Sequence, residues 1–150
     1  MNANLKRLFR PKTVAVVGGS WAKNVVDQCA RMGFSGQIWP VNPKRETMGD
    51  HKCYASLDDL PGTPDAVFLA VNRHQAIDAV RQLSDMGAGG VVCFASGFKE
   101  TGDEEGAALQ DALIKAADNM PVLDPNCNGF VNGLEQTPIW PDGHGMDPVD

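Results

Sequence analysis

Apolar positions along this chain follow two alternating rhythms, and the alternation predicts an architecture before any single residue is considered. Thr13-Val14-Ala15-Val16-Val17 is a β-branched run with no polar residue at alternate positions, closed by Gly18-Gly19. Such a strand is buried on both faces, as central strands of parallel sheets are. Further strands are predicted at Gln37 to Val41, Asp65 to Val71 and Gly90 to Ala95, with a short fifth at Pro121-Val122-Leu123; they lie too far apart for hairpins. Between them Val25, Cys29 and Met32, then Ala76, Val80 and Leu83, then Leu109, Leu113 and Ala116 recur at i, i+4, i+7, which puts each set on one face of a helix. Strands alternating with amphipathic helices require right-handed crossovers. The prediction is an α/β fold, a Rossmann-like doubly wound parallel sheet of about five strands with helices on both faces.

Three segments depart from the rhythm. Pro40 has no N–H to give a sheet ladder, so the second strand is expected to be irregular or short there. Leu5 to Phe9 predicts one helical turn before Pro11, with Leu8 and Phe9 on the sheet edge. Gly133 to Asp150 carries Pro138, Pro141 and Pro148 with Gly143 and Gly145 and no sustained period. The expected organisation is one domain over residues 1–132 and, over 133–150, a tail or linker toward a following domain absent from this chain.

The totals narrow the function classes. A chain of 150 residues is one ordinary domain, able to bury about two-thirds of its unfolded surface. A net charge of -6 argues against nucleic acid, whose phosphates select a basic face. No run approaches the ~20 apolar residues of a membrane span, and Met1 to Arg10 lacks the apolar stretch of a secretory signal, so the expected compartment is the cytoplasm. Cys29, Cys53, Cys93 and Cys127 have neither C-x-x-C nor paired histidine spacing; reduced, mostly buried thiols are expected, and no metal site.

In open parallel sheets ligands bind beyond the carboxyl ends of the strands. The segments that follow the first four strands are Gly18-Gly19-Ser20-Trp21-Ala22-Lys23, Asn42-Pro43-Lys44-Arg45, Asn72-Arg73 and Ser96-Gly97-Phe98-Lys99, and each contains a cation. Lys23, Lys44, Arg45, Arg73 and Lys99 would thus gather at one rim of an acidic domain, as expected for a small ligand with several phosphates. Gly18-Gly19-Ser20 opens a helix and offers bare amides to a pyrophosphate, although the third glycine of a full dinucleotide fingerprint is missing. At the end of the second strand, where NAD-binding domains carry an Asp or Glu for the ribose, this chain has Asn42-Pro43-Lys44. A lysine there attracts a ribose phosphate, which disfavours NAD more than NADP.

Taken in order, Leu8 to Ser20, Pro40-Val41-Asn42-Pro43-Lys44, Ser96-Gly97-Phe98-Lys99-Glu100 and Pro125-Asn126-Cys127-Asn128-Gly129 resemble the first domain of ADP-forming acetyl-CoA synthetases and, more distantly, the succinyl-CoA synthetase α subunit. The likeness spans Leu5 to about Asn132. It implies a coenzyme A site, in which Gly18, Gly19 and Ser20 would cradle phosphates. Asn42, Pro43 and Lys44 would meet the adenosine end, and Val71 and Asn72 would line the nucleotide pocket. Ser96, Gly97 and Phe98 would border pantetheine, while Asn126 and Cys127 would flank the thiol. Where the family commonly shows Gly-Ala-Ser and a later glycine, this chain has Gly-Gly-Ser-Trp and none, so Trp21 would reshape the phosphate loop, and Asp124 stands where a glycine is usual. Arg73 matches no position of the family pattern.

The resemblance further implies that a phosphohistidine, ATP and magnesium act in other synthetase domains, a second Rossmann-like domain and an ATP-grasp module. This chain would hold coenzyme A or acyl-CoA and be inactive alone. No catalytic residue is assigned: His51, His74 and His144 lie outside any phosphohistidine motif, and no histidine is patterned to activate Cys127. Two other readings stay open, a non-catalytic coenzyme A or nucleotide sensor, free-standing or joined to a protein acyltransferase, and an NADP-binding domain.

Overall fold

The computed structural model of the chain describes residues 2–123, 125 and 127–148. In chain order the elements are α1 (Ala3–Phe9), β1 (Thr13–Gly18), α2 (Ser20–Met32), β2 (Gln37–Val41), β3 (Thr47–Met48), β4 (His51–Lys52), β5 (Ala66–Ala70), α3 (Arg73–Met86), β6 (Val91–Cys93), α4 (Glu104–Ala117), β7 (Val122–Leu123), β8 (Phe130–Asn132) and β9 (Thr137–Ile139). Single 3-10 turns lie at Leu57–Asp59 and Lys99–Thr101.

Five strands form one sheet in the order β2-β1-β5-β6-β7, every neighbouring pair parallel. Counting only these five, the chain runs outward from β1 to one edge, then returns to the other side of β1 and continues outward. The strand order therefore reverses between β1 and β5, the switch point at which doubly wound sheets open a crevice. Val14 to Val16 are buried on both faces, as the unbroken apolar run requires. Ala15, Val17, Val67, Leu69, Val91 and Cys93 pack against α3 and α4 on one side. Val14, Val16, Ala66, Phe68 and Val92 pack against α1, α2 and Ile139 on the other.

Local chemistry bounds the helices. Asn72 caps α3 by accepting the Gln75 amide at 2.9 Å, and Asp103 caps α4 by accepting the Gly106 amide at 2.7 Å. Gly33 and Gly87 end α2 and α3 in the left-handed conformation, at φ 76° and 81°. Below the sheet, Asp65 latches three elements together. It accepts from Arg7 Nε at 2.8 Å and from the amides of Lys12 and Thr13 at 2.9 and 3.3 Å. Burial alone would raise its carboxyl, but the Arg7 and amide hydrogen bonds outweigh burial and hold it below the usual value.

The structure corrects three expectations. The second strand runs unbroken through Pro40, because β2 is an edge strand and the Pro40 carbonyl points outward to the Tyr54 amide at 2.8 Å. Carbonyl and nitrogen of one strand residue face the same side, so the missing N–H also faces outward and β1 loses no bond. Leu8 is not at an exposed sheet edge but fully buried, packed against Gly90 just before β6. Residues from Gly133 onward do not begin as a tail. β8 and β9 form an antiparallel hairpin whose Thr137 and Ile139 are fully buried against α2. Asn132 Nδ2 donates to the Phe9 carbonyl at 2.9 Å, and Arg31 Nη2 holds the Met146 carbonyl at 2.9 Å. Among the described residues no helix is long and apolar enough to cross a membrane.

Candidate functional site

The carboxyl ends of β1, β5 and β6 frame an open cleft of about 420 Å³ at the switch point, lined by Trp21, Ala70, Val71, Asn72, Arg73, Phe94, Ala95 and Ser96. Its first wall is the turn from β1 into α2. Gly18 has φ 140°, and a Cβ there would meet the Ala70 carbonyl oxygen at 2.5 Å. The glycine is therefore required by the close approach of β1 and β5, whatever the loop binds. Gly19 is different: a Cβ there would meet nothing within 4 Å. It caps α2 without a side-chain hydrogen bond, and the first amides of the helix, with the positive end of its dipole, lie next to it and to the exposed Ser20.

Trp21 is 46% exposed, and its ring leans on Phe94 at 5.1 Å between centroids, with Phe94 in turn 5.5 Å from the fully buried Phe68. The tryptophan is thus a rim residue braced against the core through a second aromatic ring. Phe94, just past the end of β6, was not among the residues singled out from sequence; an apolar residue ending an apolar run looks like core, and only the adjacent Trp21 distinguishes it.

Beyond the end of β2, Asn42 ties two loops together. Its Nδ2 donates to the Gly18 carbonyl at 2.9 Å and its Oδ1 accepts from the Lys44 amide at 2.8 Å. The Lys44 backbone is thereby fixed to the Gly18 turn while its side chain is exposed and makes no ion pair among the described residues. Pro43 is exposed beside it. The five rim cations are not equivalent. Lys23 pairs with Asp27 at 2.8 Å and Arg73 with Glu105 at 2.9 Å, which leaves Lys44, Arg45 and Lys99 without a carboxylate partner among the described residues.

Past β6, the Glu100 carboxylate accepts from the amides of Gly97 at 2.7 Å and Phe98 at 3.1 Å. Slight burial would raise this carboxyl, but the amides of its own residue, Gly97 and Phe98, helped by the Arg73 charge, hold it below the usual value. These two amides are committed internally, so the loop offers a ligand the exposed Ser96 side chain rather than a set of free N–H groups. The Phe98 ring is fully buried against α3 and α4, so only its backbone belongs to the rim. Val71 is half-buried in the cleft wall, and the Asn72 side chain is spent on capping α3.

The structure thus brings Gly18, Gly19, Ser20, Trp21, Asn42, Pro43, Lys44, Val71, Asn72, Ser96 and Gly97 to one edge of the sheet. Cys127 follows β7 on the same edge, half-buried, with Sγ accepting from the Gly129 amide at 3.3 Å. Asn126 and Asp124 lie outside the described residues. Cys29, Cys53 and Cys93 are buried free thiols, and burial pushes Cys29 and Cys93 up to about 12. Among the described residues no group of histidines, cysteines and carboxylates is arranged to hold a metal ion.

A family model described as "CoA binding domain" matches residues 12–133. A trans-feruloyl-CoA synthase of an unknown prokaryotic organism is 41% identical over 145 residues, covering 92% of this chain and 20% of that protein. The ADP-forming acetate–CoA ligase II of Archaeoglobus fulgidus is 33% identical, covering 86% of this chain and 20% of the ligase. Among solved structures, the apo dinucleotide-forming acetyl-coenzyme A synthetase 1 of Ca. Korarchaeum cryptofilum superposes with a TM-score of 0.84 at 28% identity, over 91% of this chain and 31% of that one. The chain spans about a fifth of the length of the two curated relatives it matches. With the model matching from the start of β1 through β8 and the same fold recurring in an acetyl-CoA synthetase, the chain belongs to the family of CoA binding domains.

Proposed function

We propose that this chain is the coenzyme A-holding domain of an NDP-forming acyl-CoA synthetase, and that it presents the thiol of the carrier to an acyl phosphate made by other domains. The observation that carries the reading is the cleft at the switch point, bordered by the start of α2, with a lysine anchored through Asn42 to the Gly18 turn that leads into that helix. Coenzyme A has three phosphates at its adenosine end, one on the ribose and two in the pyrophosphate, and a long neutral arm at the other. In this reading the pyrophosphate lies over Gly19 and Ser20, where a helix start stabilises anions. The ribose phosphate meets Lys44, and the adenosine end lies along Asn42, Pro43, Val71 and Asn72. The pantetheine arm passes between Trp21 and Ser96, beside the backbone of Gly97 and Phe98, toward Cys127.

The contribution of the domain is positioning: holding the thiol in line removes most of the entropic barrier to its attack. The curated relatives named above are a ligase and a synthase that attach acids to coenzyme A by their names. The phosphohistidine and the ATP-grasp chemistry with its ATP and magnesium would lie in a second Rossmann-like domain and an ATP-grasp module, carried by the same or a partner chain, and the compartment would be the cytoplasm.

Trp21 gives the reading a direct optical test. Of the three tryptophans, Trp39 is 8% exposed and Trp140 half-buried, whereas Trp21 stands on the cleft rim. Titration with coenzyme A is expected to change tryptophan emission saturably, and Trp21→Phe is expected to abolish the change while calorimetry still detects binding. A saturable signal that survives in the Trp21→Phe variant would place the ligand elsewhere.

A further inference from the structure

Arg73 matches no position of the family pattern, and its surroundings are unusually specific. It is the first residue of α3, where a positive charge is unfavourable because the helix dipole already makes that end positive, and no acidic residue in the first turn compensates. The side chain is only 27% exposed. Its Nη1 donates to the Gly97 carbonyl at 2.8 Å and its Nη2 pairs with Glu105 of α4 at 2.9 Å. A Cβ on residue 97 would meet Arg73 Cδ at 2.7 Å and Nη1 at 3.0 Å, and Gly97 has φ 96°. The arginine therefore lies directly on the Gly97 backbone, and glycine is the residue that permits it.

From its other side, Glu100 takes the amides of Gly97 and Phe98. One side chain from α3 holds the carbonyl of the loop and one from the following 3-10 turn holds its amides. Between them they fix a loop that puts Ser96 on the cleft and the Phe98 ring in the core.

We propose that Arg73 is a positioning residue for the bound ligand: it clamps the Ser96–Phe98 loop to the start of α3 in the shape that receives the neutral arm, and it does not bind a phosphate. This rests on the proposed coenzyme A reading. The charge of Arg73 is already answered by Glu105, unlike that of Lys44, and the two terminal guanidinium nitrogens are engaged. The clamp joins α3, the loop and α4 at one point, so its loss loosens one wall of the cleft and leaves the Gly18–Gly19 turn and Lys44 in place.

The test titrates wild type, Arg73→Ala and Arg73→Lys with coenzyme A and with adenosine 3′,5′-bisphosphate, which keeps the adenosine end and lacks the arm. Arg73→Ala is expected to weaken coenzyme A roughly tenfold, the low end of what one charge-assisted hydrogen bond is worth because the bond lost shapes the loop rather than touching the ligand, and to leave the bisphosphate within about twofold. Arg73→Lys, which can reach one partner only, is expected to fall between. Equal losses for both ligands would make Arg73 a phosphate contact, and no loss for either would leave the clamp without function; both overturn the proposal. Hydrogen exchange on the unliganded chain supplies a readout independent of any ligand. Amides of residues 97–101 should exchange faster in Arg73→Ala while those of β1 and β5 stay protected, and unchanged exchange at 97–101 would refute the clamp even if coenzyme A binding failed for other reasons.

Discussion

Replacing Lys44 by alanine is expected to weaken coenzyme A by about 1.5 to 3 kcal/mol, or roughly 10- to 150-fold, the value of a charge-assisted hydrogen bond to phosphate. The size follows from two observations. The Lys44 side chain is exposed and has no carboxylate partner among the described residues, so the ammonium is free to meet a ligand. Its backbone is held to Asn42, which is held to Gly18, so the chain approaches the phosphate loop from a fixed base. Calorimetric titration with coenzyme A and with dephospho-CoA reads both strength and address. Dephospho-CoA should lose less on the same substitution if the lysine meets the ribose phosphate; equal losses would assign it to the pyrophosphate instead. Stability of the fold should not change, because a solvated lysine contributes little to it.

Gly18→Ala is expected to act the other way, on the fold first and on binding only as a consequence. The added methyl would sit 2.5 Å from the Ala70 carbonyl oxygen and 3.1 Å from Ala70 Cβ, between the neighbouring interior strands β1 and β5, at a φ of 140° that side-chain-bearing residues rarely adopt. Neither strand can retreat, since β1 is paired on both sides and β5 is paired to β1 and β6. Overpacking and backbone strain together should cost about 2 to 5 kcal/mol, a large share of the stability of a domain this size. Urea denaturation would register it as a lower midpoint with an unchanged slope. A Gly18→Ala protein as stable as wild type but unable to bind would reassign this glycine from sheet packing to ligand contact.

That contrast bears on what a sequence can disclose. The β-branched run at Thr13 to Val17 and the three i, i+4, i+7 sets were legible because burial on both faces of a strand and on one face of a helix leaves a periodic imprint. The candidate rim was legible for a topological reason: in a parallel sheet every strand ends at the same edge, so the residues after successive strands must meet. Strand order left no imprint, and with it the switch point between β1 and β5 that makes the cleft. The hairpin at Phe130 to Ile139 escaped because three-residue strands are too short to show a period and Pro138 reads as a breaker.

Inside the site, residue type alone misjudged how groups are spent. Five cations follow the strands, yet Lys23 and Arg73 are answered by Asp27 and Glu105. Amides at Gly97 and Phe98 are taken by Glu100, three positions beyond Gly97 in the chain, and that short spacing is the one sequence signal that could have revealed it. Phe98 was expected at the rim, but its ring completes the core under α3 and α4. Trp21, by contrast, could have been core by composition and stands on the cleft because it occupies the second position of α2, beside the uncovered Gly19.

The claim on which everything turns is that the helix start at Gly19 and Ser20, together with Lys44, selects a phosphorylated thiol carrier over a nicotinamide dinucleotide. Isothermal titration of the purified chain with coenzyme A and, separately, with NADP measures that selection directly. The account predicts saturable one-to-one binding of coenzyme A and no comparable uptake of NADP. Uptake of NADP with no detectable affinity for coenzyme A would contradict it.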